Sequence, residues 1–175
     1  KGLLFYILLL LISIPVSAGW QRPVTNYTRH IYKAGNQNWS IQQHDNGWIY
    51  VANNKGLLEF DGVEWNTYPI HNAKTRAVKV GHDGRIYIGG MEQFGYFTPN
   101  RLGGLEYTCL SDSLSPNVNV GVIWNILLDG ERVYFQSDRR FFYWEEGIVK
   151  KIDYSSEIYT SFILRNKLYI TSAEG

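Results

Sequence analysis

Short runs of alternating apolar and polar residues fill the chain from Trp39 onward, each broken by Gly, Asn or Asp. A period of two marks strands that bury one face. Asp-Gly or Asn-Gly between two such runs marks a tight hairpin, because those turns need positive φ. Four stretches share one order of parts, beginning at Trp39, Arg76, Trp124 and Tyr159. Each passes a polar turn (Asp45-Asn46-Gly47, Asp83-Gly84, Asp129-Gly130, Asn166-Lys167) and then a second strand carrying an aliphatic–Tyr pair. The pairs Ile49-Tyr50, Ile86-Tyr87, Val133-Tyr134 and Leu168-Tyr169 lie 37, 47 and 35 residues apart. In the first unit a turn at Asn53-Asn54-Lys55-Gly56 leads to a third strand over 57–60, and Asp61-Gly62 leads to a fourth over 63–68. The second unit repeats this over 94–97 and 105–107, the third over 141–144 and 148–152.

A lone four-stranded up-and-down sheet leaves apolar faces uncovered. Radial repetition buries them against neighbouring sheets, so the repeats predict an all-β chain of β-propeller blades, each of four antiparallel strands. A parallel β-helix is the structural rival, but its coils need no succession of tight hairpins. Three complete units and the first half of a fourth are present, about three and a half blades where closed rings typically have four to eight. The expectation is an incomplete ring and an amino-terminal fragment of a longer protein. The predicted organisation is a targeting segment over 1–18, a linker or first strand over 19–35, and a partial propeller over 36–175 with units from about 38, 75, 123 and 158.

The targeting segment is read from residues 2–14, GLLFYILLLLISI, which follow Lys1 and precede Pro15 and Val16-Ser17-Ala18. A basic start, a short apolar run and small residues at the end form a secretory signal peptide. The run falls short of the roughly 20 apolar residues that a spanning helix needs. Cleavage after Ala18 is the expectation, with an uncleaved anchor as the alternative, so the body from Gly19 onward is expected to be exported.

Charge and composition narrow the chemistry. Lys plus Arg number 17 against 16 Asp plus Glu, a formal charge of +1, so this segment lacks the basic footprint that neutralises nucleic-acid phosphates. Aromatic residues make up 15% of the chain, which excludes disorder and suits packed sheets. The single cysteine, Cys109, excludes an internal disulfide or a cysteine-rich zinc site. His30, His44, His71 and His82 are scattered without metal-ligand spacing, and Asp45-Asn46-Gly47 lacks the rest of a calcium loop. No carboxylate pair is specified for glycoside hydrolysis, and no nucleophile elbow, phosphate loop or dinucleotide fingerprint occurs. No catalytic residue, metal ligand or cofactor is expected, and the segment is read as a non-enzyme.

The run Gln37-Asn38-Trp39-Ser40-Ile41, with Gly47 to Tyr50, Ala52-Asn53-Asn54, Gly56 to Gly62 and Trp65, resembles the two-component regulator propeller repeat. Arg76, the stretch Gly84 to Gly90 and Phe94-Gly95-Tyr96-Phe97 fit the next repeat. The resemblance implies the periplasmic ligand sensor of a membrane-spanning bacterial signalling protein. Such proteins continue through more blades, a triple-tyrosine β-sandwich module and a transmembrane helix. Their cytoplasmic part is a histidine kinase or a helix-turn-helix transcription regulator. Membrane attachment is expected only through that later helix, and a homodimer of the full-length protein is left open. A secreted propeller scaffold and a propeller lyase or hydrolase are the alternative functions.

Hairpin parity places the candidate ligand site. In an up-and-down blade the first-to-second and third-to-fourth turns share one rim; blade entrances and second-to-third turns share the other. The entrance rim should therefore gather Trp39, Arg76, Trp124 and Tyr159 with Asn53, Asn54 and Gln93, and the loop at Asp138-Arg139. Indole and phenol faces beside Arg and Asn donors suit an oligosaccharide or another polar small molecule. The alternative for each Trp is packing between neighbouring sheets.

Overall fold

The computed structural model describes residues 23–71 and 74–174; the targeting segment expected over 1–18 lies outside them. The first unit is the sheet β1 (Asn38–Gln43), β2 (Ile49–Asn53), β3 (Gly56–Phe60) and β4 (Trp65–Tyr68). The second is β5 (Thr75–Val80), β6 (Ile86–Gly90), β7 (Phe94–Pro99) and β8 (Leu105–Cys109). The third is β9 (Asn125–Asp129), β10 (Arg132–Gln136), β11 (Arg140–Glu145) and β12 (Ile148–Asp153), and the hairpin β13 (Ile158–Leu164) and β14 (Lys167–Ser172) follows. Every pairing is antiparallel and between chain neighbours. The first strands stand side by side, β1 against β5, β5 against β9 and β9 against β13, so each blade has its first strand innermost. The architecture is three four-stranded blades and a half blade of an incomplete β-propeller. No helix among the described residues is long and apolar enough to cross a membrane.

Alternation along the strands builds one seam three times over. The tyrosine of each aliphatic–Tyr pair points at the following blade. Tyr50, with Ala52 and Leu57, packs against Val78, Ile86 and Phe97. Tyr87, with Phe94, packs against Ile126, Val133, Phe135 and Phe142. Tyr134, with Phe141, packs against Ile158, Ile163 and Leu168. The fourth tyrosine, Tyr169, is 44% exposed and, among the described residues, stacks on Phe162 of its own hairpin. On the opposite flank, Ile41, Val78 and Ile126 each pair with the residue that follows their blade's tyrosine. Val78 and Ile126 are each 3% exposed and Ile41 is 63% exposed. The open ring thus presents two halves of one repeating seam on its two flanks.

The longer 47-residue spacing has its reason in the second seam. The chain between β8 and β9 inserts Leu110, Val120 and Ile123 into the core formed by Phe94, Phe135 and Phe142. Upstream, the segment over 19–35 contributes no strand among its described residues. It holds one helical turn, α1 (Arg29–Tyr32). Tyr27 and Tyr32 lie 5.5 Å and 5.8 Å from the Trp65 ring and cover part of the first blade.

The polar turns explain their own residues. In the first blade Asn46 Oδ1 accepts from the Trp48 N–H, and in the second Asp83 Oδ1 accepts from the Arg85 N–H two residues on. The side chain thereby closes the turn that the following glycine permits. Asp83 Oδ2 also accepts from Arg85 Nη1 (2.6 Å) and the Tyr87 hydroxyl (2.7 Å). Burial acts to raise the Asp83 pKa, but the bonds from Tyr87 and Arg85 outweigh it and hold the carboxyl below the usual carboxylate range. A depressed folded-state pKa stabilises above the unfolded value, about 3.9, and that stabilisation is lost as pH falls through the folded value. The thermal midpoint of Asp83→Asn should accordingly fall less than that of the parent between about pH 5 and 3. Parallel pH dependences of the two melts would count against this.

Candidate functional site

Three of the four entrance residues sit in strand irregularities. The β1–β2 register shifts between Asn38 and Ser40, the β5–β6 register between Thr75 and Ala77, and the β13–β14 register between Ile158 and Thr160. The residues between are Trp39, Arg76 and Tyr159. A bulge turns its extra residue out of the pleat, so side chains that a regular strand would alternate between faces are re-aimed at the rim. Trp124 stands just before β9, with its backbone N–H donating to the Gln136 carbonyl at 2.9 Å.

The second-to-third turns of the same rim anchor these side chains. Trp39 Nε1 donates to Asn54 Oδ1 at 3.0 Å, and Trp124 Nε1 donates to Asp138 Oδ1 at 2.7 Å. Asn54 and Asp138 occupy the same offset, four residues after Tyr50 and Tyr134. Arg76 Nη1 donates to the same Asn54 Oδ1 at 2.8 Å and to the Thr75 carbonyl at 3.0 Å. Its guanidinium carbon lies 4.1 Å from the Trp39 ring centroid, a cation–π arrangement. Although they belong to the first and third blades, the Trp39 and Trp124 rings meet edge to face at 6.3 Å. The entrances therefore converge near the ring axis.

These contacts rest on a frame that links each turn to the next blade. Thr75 Oγ1 donates to the Asn53 carbonyl (2.6 Å), the Ile123 N–H to the Gly90 carbonyl (2.9 Å) and the Ile158 N–H to the Asp138 carbonyl (2.7 Å). Between the third blade and the hairpin, Gln136 and Asn125 bond the buried Ser161 side chain, whose hydroxyl donates to Gln136 Oε1.

The structure brings Trp39, Asn54, Arg76 and Trp124 into one contact group and places Tyr159 beside it. Trp39 and Trp124 are each 46% exposed and Tyr159 is 66% exposed, so the indoles are not wedged between sheets. Trp124, Asp138, Glu157 and Tyr159 line a shallow cavity of about 350 Å³. On the other side, Trp39 and Ile41 border a groove of about 410 Å³ on the first blade's open flank. Asn53 departs from the expectation. It is fully buried, its Oδ1 accepting from the Gly35 N–H (2.9 Å) and its Nδ2 donating to the Gly35 carbonyl (2.7 Å) and Asn38 Oδ1 (2.6 Å). Those bonds make it a strut between the upstream segment and the first blade. Gln93 also stands apart, its Nε2 donating to the His71 carbonyl at 3.2 Å. Asp138 lies in the loop expected on this rim, at the same offset as Asn54, and Glu157 is a rim residue that the sequence did not single out.

A larger cleft, about 530 Å³, opens on the opposite rim between the second and third blades, around Asp83, Arg85, Trp144 and Glu146. Arg85 pairs with Asp83 at 2.6 Å there and lies over the Tyr96 and Trp144 rings at 5.0 Å and 5.2 Å, while its Nε is buried without a hydrogen-bond partner among the described residues. Arg132 repeats that placement over Tyr143 at 5.2 Å. Recurrence in successive blades fits a staple for the sheet rather than a ligand contact. Among the described residues, no group of three His, Cys, Asp or Glu could hold a metal ion.

No protein-family model matches the chain, and no curated protein does. A solved structure of streptogramin B lyase, a β-propeller, aligns over 78% of this chain and 48% of its own, with a TM-score of 0.58 and 17% identity. The chain thus spans about half the length of that structure. At this identity the likeness is one of fold.

Proposed function

We propose that this chain forms the amino-terminal blades of a periplasmic ligand-sensing propeller in a membrane-spanning bacterial signalling protein. Its ligand, a carbohydrate fragment, is taken on the entrance rim. The observation that carries the reading is the convergence of exposed Trp39 and Trp124 with Arg76 and Asn54 on one rim, three blades contributing. Sugars present an apolar ring face and a hydroxyl edge, and indoles beside amide and guanidinium groups answer both. The blade-one residues shared with the two-component regulator propeller repeat and the export pattern over 1–18 support the sensor assignment. The half-seams around Ile41 and Tyr169 support further blades in the working protein. The output, a histidine kinase or a helix-turn-helix regulator, would lie in that remainder.

The likeness to a lyase propeller supports a second reading, in which the ring is catalytic. One screen separates the two. Fragments of defined polysaccharides are tested for their effect on the thermal midpoint, and the best is titrated by calorimetry. The sensor reading predicts binding without turnover, weakened at least about tenfold in Trp124→Ala, an order expected for losing a stacking face. A bound fragment converted to a new product would favour the lyase. A midpoint that no fragment raises would count against a saccharide rim.

A further inference from the structure

Arg76 is the cation at the centre of the rim, and its charge is not matched. The described residues contain five ion pairs, and Arg76 is in none of them. Its bonds within the chain are both made by Nη1, to neutral acceptors, Asn54 Oδ1 and the Thr75 carbonyl. The arginines lodged elsewhere against aromatic rings differ. Arg85 has Asp83 at 2.6 Å and Arg132 has Glu145 at 2.6 Å. The rim's own carboxylates have other partners: Asp138 accepts from the Trp124 indole at 2.7 Å, Glu92 accepts from the Val120 N–H at 3.2 Å, and Glu157 forms an ion pair with Arg139 at 3.7 Å. Exposed Lys55 follows Asn54, and exposed Lys74 precedes Thr75. Among the described residues, no carboxylate pairs with Arg76.

From this geometry we infer that Arg76 is an oxyanion subsite, and that the rim ligand carries a carboxylate or sulfate group which docks on its guanidinium. The inference rests on the rim being the ligand site and adds the ligand's charge class. Two features prepare Arg76 for that contact. The Trp39 ring and the Asn54 amide fix the guanidinium plane, so little rotamer freedom remains to be lost on binding. A guanidinium also offers two parallel N–H groups to one carboxylate or sulfate, a geometry an ammonium lacks. A ligand oxyanion would supply the counter-charge that aspartate and glutamate supply at Arg85 and Arg132.

The test uses the chain as it stands and begins with inorganic sulfate, read through tryptophan fluorescence because Trp39 lies under Arg76. Saturable quenching is expected. It should be lost in Arg76→Gln, partly kept in Arg76→Lys and unchanged in Arg101→Gln on the opposite rim. Matched disaccharides then separate the sources: one bearing a uronate, one a sulfate ester, one neutral. The uronate or the sulfate ester should bind at least about tenfold tighter than the neutral partner, with Arg76→Gln erasing the difference. Quenching that persists in Arg76→Gln would overturn the subsite. Equal binding of acidic and neutral disaccharides in the parent would overturn it too, and would leave the saccharide rim standing. Absence of any response to sulfate and to all three sugars would remove both.

Discussion

Phe94→Ala should abolish the cooperative melt of the chain. Phe94 is fully buried at the start of β7, where the second and third blades meet. Its ring centroid lies 4.5 Å from that of Phe135 and 5.1 Å from that of Phe142, and all three rings are buried. Truncating a buried Phe to Ala typically costs about 3–5 kcal/mol, the lost transfer energy plus the cavity left behind. Total stabilities of domains are only about 5–15 kcal/mol, so one truncation here removes a large fraction. The position offers little relief. The buried rings of Tyr87, Phe135 and Phe142 are held by two different sheets, and Leu110, Val120 and Ile123 by the connection between β8 and β9, which limits collapse into the void. In a repeat architecture, stability is carried by contacts between neighbours, so loss at this seam should separate the first two blades from the rest. Calorimetry should show a broad or split transition. A single sharp transition within a few degrees of the parent would mean that this seam does not couple the blades.

Asn54→Ala should have the opposite profile, a large loss of ligand affinity with little loss of stability. Asn54 Oδ1 is the shared acceptor for Trp39 Nε1 and Arg76 Nη1. Removing it frees an indole in the first blade and a guanidinium in the second at once. Both donors are near solvent and can turn to water, so the fold should lose no more than about 1 kcal/mol or so, the net worth of an ordinary hydrogen bond. Binding suffers more, because a rim whose side chains must be ordered by the ligand spends affinity on that ordering, about 0.5–1.5 kcal/mol for each side chain. Two freed side chains imply a fall on the order of tenfold to a hundredfold. Asn54→Asp should keep the acceptor and the indole position while placing a carboxylate against Arg76, so acidic sugars should be weakened more than neutral ones. Titration calorimetry beside a melt checks both variants. Unchanged affinity in Asn54→Ala would show that the anchor is irrelevant to binding.

The blades were legible because their signals are local. Alternation, Asp-Gly turns and the aliphatic–Tyr pair are all written within a few residues, and the strands follow them closely. The tyrosines illustrate the limit. Their recurrence pointed to a repeat, yet only the packing reveals that Tyr50, Tyr87 and Tyr134 each close a seam with the next blade. Hairpin parity placed Trp39, Asn54, Arg76 and Trp124 on one rim, since parity needs only a count of turns. It could not separate Asn54 from Asn53. Adjacent strand-end residues point to opposite faces, and a bulge beside them turns one side chain outward while the other stays buried. The contact between Trp39 and Trp124 was equally hidden, because it depends on how two non-adjacent blades curve around the axis.

The most direct test is a spectrum of the tryptophan indoles. With the chain's six tryptophans labelled on nitrogen, the oligosaccharide that most raises the thermal midpoint is titrated and the indole N–H signals are followed. The entrance-rim account predicts that the Trp39 and Trp124 signals shift and saturate together, while Trp48 on the tight-turn rim and Trp144 at the opposite cleft stay in place. Movement of Trp144 or Trp48 with Trp39 and Trp124 unmoved would contradict it.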